Sequence, residues 1–294
     1  MLTPRSFTFV LTRVAAILMS LVSLVSVATV YGAESGVAVE QFTVNHDADI
    51  LAGEIHKVSG TSPGLAVVIA GGSGVCERAD TASAVPLFLN PETAVVLVDR
   101  RGCGKSTGTF TRPGTRNSRW LVPRLAIDLE PVIQHLRAGG FSRVGLIGSS
   151  FGGWLAIAAA SENQVDFFVA INGGASSVAE SDTFDRLTDQ GMSIDQAVRA
   201  TRTVTMPRSY DPDTDLASIN VPGLFILAEL DDSNPMVLDR EHVEFWQQQE
   251  KPFALIIVTG ANHDLVNLST GTIDLSWLSE AQAFIAGSPA PVSE

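Results

Sequence analysis

The chain has 294 residues, 45% of them hydrophobic, enough for one large domain or two small ones around a substantial core. Its formal net charge of −13 sets the surface against polyanions and excludes nucleic acid as a partner.

Residues 1–33 begin with a charged leader (Arg5, Arg13), continue as an apolar run from Val14 to Val30 and end in small residues, with no acid before Glu34. This is the pattern of a secretory signal peptide, with cleavage expected after Ala28 or near Ala33. Left uncleaved, the run would be a short membrane anchor, the one route to a membrane contact. Cleavage removes two arginines and no acid, takes the net charge from −13 to −15, and leaves a periplasmic or secreted chain.

Short apolar runs then alternate with segments of helical periodicity, which predicts an α/β architecture with a mainly parallel sheet. Strands are expected over 37–44, 50–58, 65–71, 93–100, 143–149, 167–173, 223–229 and 253–260. The first two alternate in character across a short HDAD connection and predict an antiparallel edge hairpin. The other six are nearly continuous hydrophobics, as in strands covered on both faces. Helices are expected near 78–88, 120–138, 151–163, 239–250 and 276–286, with Pro123 and Pro131 kinking or shortening the second. Residues 174–222 carry helical spacing in FDRL and IDQAVRA and predict a small cap. Its apolar residues Phe184, Leu187, Met192 and Val198 are expected to serve packing. One domain over 36–287 with this insertion, and a flexible tail over 288–294, is the expected organisation.

Two motifs compete for the chemistry. The run RGCGKSTG at 101–108 looks like a phosphate-binding loop, but the position that must be glycine holds Asp99. A turn-rich segment, TGTFTRPGTRN, also follows where a helix should start at once. The nucleotide reading fails on both counts. By contrast, GSSFG at 148–152 matches G-x-S-x-G, closing the buried strand RVGLIGS and opening the helix FGGWLAIAAAS. A serine on such a strained turn is held out of the sheet, and the helix N-terminus favours a developing oxyanion. Ser150 is therefore the expected nucleophile and the Phe151 amide one oxyanion donor.

A hydroxyl needs a base, and the base needs a carboxylate to orient it. In this architecture the chain order is Ser, then acid, then His. His46, His56 and His135 precede Ser150, and His242 falls inside a helix. His263, in GANHDL just past the last strand, is the candidate base. Asp231 in ELDD, just past the seventh strand, is the candidate acid, with Asp232 and Asp264 as alternatives. The glycine loop AGGSG at 70–74 should supply the second oxyanion donor, Gly72, with Ser73 as the near alternative.

Taken together, the strand rhythm, the glycine loop, DRRGCGKS, GSSFG, ELDD and GANHD resemble the α/β-hydrolase superfamily over nearly the whole chain after the leader. The resemblance implies an α/β-hydrolase fold, an eight-stranded mostly parallel sheet flanked by helices under a short helical cap. It also implies that RGCGKSTG is a structural turn beside the active site. The run GSSFGGWLAIAAA is similar to the elbow of the dienelactone-hydrolase and prolyl-oligopeptidase branch, whose substrates are often esters or thioesters. RGCGKST followed by NSRWLV and DLE also resembles proline iminopeptidases. Those carry a larger cap and a His-Gly-Gly loop, where this chain has Ala70.

In the strand order of that fold the loops holding Cys76 and Cys103 are neighbours, so a disulfide is geometrically allowed, against two buried thiols. By chain-entropy reasoning it would add about 3–4 kcal/mol. The expected activity is serine hydrolysis of a small ester or acyl substrate through Ser150, His263 and Asp231, with no metal or cofactor. A proline-iminopeptidase-type peptidase and a non-catalytic binding protein are the alternatives.

Overall fold

The computed structural model describes residues 36–162 and 164–287, so the predicted leader and tail lie outside the described residues. Eight strands form one sheet: β1 (Val37–His46), β2 (Asp49–Val58), β3 (Leu65–Ala70), β4 (Thr93–Val98), β5 (Arg143–Ser149), β6 (Phe167–Ile171), β7 (Gly223–Ala228) and β8 (Phe253–Val258). Their order is β1-β2-β4-β3-β5-β6-β7-β8. β1 and β2 are antiparallel, as is β2 with β4, while β4 through β8 run parallel. The alternation along β1 and β2 arises because only one face of the hairpin meets the core. Phe42, Leu51 and Ile55 are buried, while Val37 and Val39 remain half exposed. The central strands are covered on both faces, and Val67, Val68, Val95 and Val96 are fully buried.

Helices α1 (Val85–Phe88), α2 (Thr115–Asp128), α3 (Glu130–Ala138), α4 (Phe151–Ser161), α5 (Val178–Asp189), α6 (Ile194–Thr201), α7 (Asp213–Ser218), α8 (Met236–Gln248) and α9 (Leu278–Ala286) complete the fold, with a 3-10 turn at Arg78–Ala84. The helix expected over 120–138 is two helices meeting at Leu129. Pro123 lies inside α2, whereas Pro131 sits in the first turn of α3, where the missing N–H is harmless and the fixed φ assists the start. The short pair β9 (Val266–Asn267) and β10 (Thr272–Ile273) has no counterpart among the expected elements.

Three helices, α5, α6 and α7, fill the insertion between β6 and β7. Ser177 and Ser193 cap the first two, each in a reciprocal box with Glu180 or Gln196. Phe184, Leu187 and Val198 pack with Ala197 and Leu238 of α8, so they serve packing, while Met192 stays exposed. No helix among the described residues is long and apolar enough to cross a membrane. All the parallel strands end at one edge, which brings together the loops after β3, β4, β5, β6, β7 and β8.

Candidate active site

Ser150 joins β5 to α4 with φ 53° and ψ −121°, a strained setting for a residue with a side chain. Its flanking glycines are required by close approach. A β-carbon at Gly148 would collide with the carbonyl of Gly152, and one at Gly152 with the carbonyl of Ala70. The Ser150 N–H donates to Ile171 O at 2.8 Å, tying the turn to the end of β6.

The next residue along β6 links this turn to the loops holding the acid and the base. Asn172 is buried in left-handed backbone geometry (φ 49°). Its amide Nδ2 donates to His263 O at 2.8 Å, and its Oδ1 accepts from Ala228 N at 2.7 Å. Its own carbonyl accepts from Asn234 Nδ2. Ser150 and His263 thus share the carboxyl edge of the sheet, joined through residues 171 and 172.

His263 Nδ1 donates to Asp231, 3.0 Å from Oδ1 and 2.8 Å from Oδ2. That bond places the ring hydrogen on Nδ1 and leaves Nε2 as the basic nitrogen. Asp231 is buried, and its Oδ1 also accepts the N–H groups of Ser233 and Asn234, both at 2.8 Å. The alternative acids are placed differently: Asp232 and Asp264 are both exposed. Burial works to depress the His263 pKa. The hydrogen bond and charge of Asp231, with Asp264 and Asp232 adding, outweigh it and hold the imidazole above its ordinary value. The other four histidines have structural surroundings. His46 faces Asp128, His56 pairs with Glu54, His135 stacks on Phe42 and His242 meets Asp213.

Gly72 lies against the serine: a β-carbon there would stand 3.5 Å from Ser150 Cβ and 3.7 Å from Oγ. Ser73 is exposed, in the bend closed by Val75 N to Gly72 O. The N–H groups of Gly72 and Phe151 donate to no other protein group among the described residues.

In the turn after β4, Asp99, Arg101, Cys103 and Ser106 of the motif serve to hold the structure. The buried Asp99 carboxylate accepts Arg78 N at 2.7 Å and Lys105 N at 3.0 Å. Ser106 Oγ donates to Asp99 O and accepts Ala52 N, which fastens the turn to β2. Arg101 takes Asp128 with two nitrogens, at 2.7 and 3.1 Å, and also pairs with Asp49. Cys76 and Cys103 form a disulfide, Cα to Cα 5.6 Å, which joins this turn to the Gly72 loop.

Sequence reasoning passed over Asn172, Asn234 and Arg100. The available signal for Asn172 was an asparagine leaving a buried strand into Gly173-Gly174, a place that favours left-handed geometry.

A sequence profile of the alpha/beta hydrolase family matches residues 67–272. Among curated proteins none matches the chain by sequence. Solved structures with a similar fold include the esterase Pf2001 of Pyrococcus furiosus, with a TM-score of 0.63 and 16% identity over 86% of this chain and 92% of that one. GrgF, an alpha/beta hydrolase from Penicillium sp. sh18, gives 0.58 and 18% over 87% of this chain and 100% of its own. The proline iminopeptidase of Mycobacterium smegmatis gives 0.57 and 17% over 84% and 98%. At such identities the likeness concerns the fold.

Proposed function

Because the chain belongs to the alpha/beta hydrolase family, we propose that it is a serine hydrolase cleaving carboxylic esters or thioesters through Ser150, His263 and Asp231. The observation that carries this reading is a strained Ser150 facing Gly72, on a turn joined through Asn172 to a His263 that Asp231 orients.

In the proposed mechanism His263 Nε2 takes the Ser150 hydroxyl proton as Oγ attacks the substrate carbonyl. The carbonyl oxygen becomes an oxyanion between the amides of Gly72 and Phe151. Collapse of the tetrahedral intermediate expels the alcohol of an ester or the thiol of a thioester, which receives the proton from His263 and leaves an acyl group on Ser150. Water then attacks that acyl group, giving its proton to His263, and the acid departs as Ser150 recovers its hydrogen. Asp231 stays ionised throughout and stabilises the imidazolium. Residues 174–222 between β6 and β7 act as the cap over this edge. Export through the N-terminal segment fits the disulfide, a bond that persists in oxidising compartments.

The test is turnover of p-nitrophenyl esters graded by acyl length, beside aminoacyl p-nitroanilides, by the wild type and Ser150→Ala. Ester turnover that falls by about 10⁵–10⁶-fold in Ser150→Ala is expected. Preferential turnover of aminoacyl amides would make the protein a peptidase. No turnover of any substrate by the wild type would make it a binding module.

A further inference from the structure

The backbone of Arg100, beside the structural Arg101, helps close the turn after β4, but its side chain reaches out of the turn to Gly71 and carries its charge differently from its neighbours. Arg101 is neutralised by Asp49 and Asp128, and Arg78 lies between Glu54 and Asp99. Arg100 makes no ion pair among the described residues. Its guanidinium is largely enclosed, and Nη1 is buried without a hydrogen-bond partner. Burial lowers its pKa to about 10, against a smaller opposing pull from Asp80, so the side chain remains a cation at neutral pH. An uncompensated enclosed charge is costly to the fold.

Two contacts of its guanidinium fall on the candidate oxyanion site. Nη2 donates to Gly71 O at 2.6 Å. The guanidinium also lies over the ring of Phe151, 5.6 Å from its centroid. Gly71 C=O and Gly72 N–H belong to the same planar peptide unit, and no peptide among the described residues is cis. Fixing the carbonyl therefore fixes the opposite direction of the N–H. A charged donor on the carbonyl oxygen also draws electron density through the amide, which makes the N–H a stronger donor.

We propose that Arg100 is a positioning residue for the oxyanion hole, aiming and polarising the Gly71–Gly72 peptide so that the Gly72 N–H binds the developing oxyanion. This rests on the serine-hydrolase reading above. The cation acts one peptide away from the reacting oxygen, where it stabilises negative charge without touching substrate. It acts most strongly in the transition state, because the ground-state carbonyl carries little charge.

The test compares Arg100→Lys, Arg100→Gln and Arg100→Met with the wild type on a p-nitrophenyl ester. It also measures the affinity for phenylboronic acid, which forms an anionic tetrahedral adduct with a reactive serine. Ester turnover by the wild type comes first, since its absence would overturn the hydrolase reading itself. Given that turnover, kcat should fall about 10- to 100-fold in Arg100→Met with KM changed less than about threefold, and boronate affinity should fall with kcat/KM. Arg100→Gln, which can keep a neutral hydrogen bond, should lose less, and Arg100→Lys, which keeps the charge, least. The melting temperature of Arg100→Met should move by less than about 4 °C. Wild-type kcat and boronate affinity in a folded Arg100→Met would overturn the proposal. So would loss of folding in all three variants, which would make Arg100 a purely structural residue.

Discussion

Two corners of the carboxyl edge are held rigid by different means. Around the Gly72 loop and the turn after β4 the fastenings are covalent and ionic: the Cys76–Cys103 disulfide, the Arg101 pairs with Asp49 and Asp128, and the Asp99 carboxylate on backbone amides. Around Asp231 and His263, apart from the Asp231 carboxylate on the amides of Ser233 and Asn234, they are neutral. Asn172 holds the His263 carbonyl and β7, Asn234 holds Asn172, and Ser181 donates to Asn234. The difference follows from what each corner must do. Charges that are paired with one another place little net field on an oxyanion site, and a positive one there is helpful. An added charge beside a His–Asp pair would displace the titration on which base catalysis depends. Amide and hydroxyl hydrogen bonds give rigidity without that side effect.

The largest break in this comparison is expected from Asp231→Asn. It leaves the shape but removes the buried charge that touches His263, and kcat should fall by about 10⁴-fold. The pH profile should change with it. The wild-type imidazole lies above its ordinary 6.5 and must be neutral to act as a base, so the rising limb of kcat/KM should sit above pH 6.5. In Asp231→Asn burial still disfavours the imidazolium while its partner is gone, so the limb should move to lower pH.

Asn172→Ala sharpens the contrast from the neutral side. It should lower kcat about 10- to 100-fold by loosening the His263 loop, with the rising limb where the wild type has it. A limb displaced as far as in Asp231→Asn would mean that the amide network also sets the titration.

The smallest catalytic effect belongs to the covalent fastening. Replacing both cysteines by serine should destabilise the protein by about 2–5 kcal/mol, read as a lower melting temperature. Because ionic contacts still hold the corner, kcat at 25 °C should change less than about tenfold. A larger loss would show that the disulfide alone sets the Gly72 loop.

What could be read in the sequence is what short-range patterns determine. Ser150 stood out because strand, turn and helix are contiguous around it, and His263 because a loop after the last strand leads to the same edge. Asp231 and Asp232 could not be separated by adjacency, since only the direction of the chain after β7 buries one and exposes the other. Asn172 and Arg100 were passed over for a related reason. Their partners, His263 and Gly71, are distant in the chain and meet them through the order of the strands. Pro123 and Pro131 pointed to a kinked or shortened helix over 120–138 without locating the break at Leu129, because a proline can begin a helix as readily as interrupt one. The β9–β10 pair, two residues a strand, is too short to have a period.

The most direct test of the account is the mass of the intact protein after reaction with a fluorophosphonate, followed by peptide mapping. The account predicts one adduct, on Ser150, formed by the wild type and absent from Ser150→Ala. An unmodified wild type, or an adduct that persists in Ser150→Ala, would contradict it.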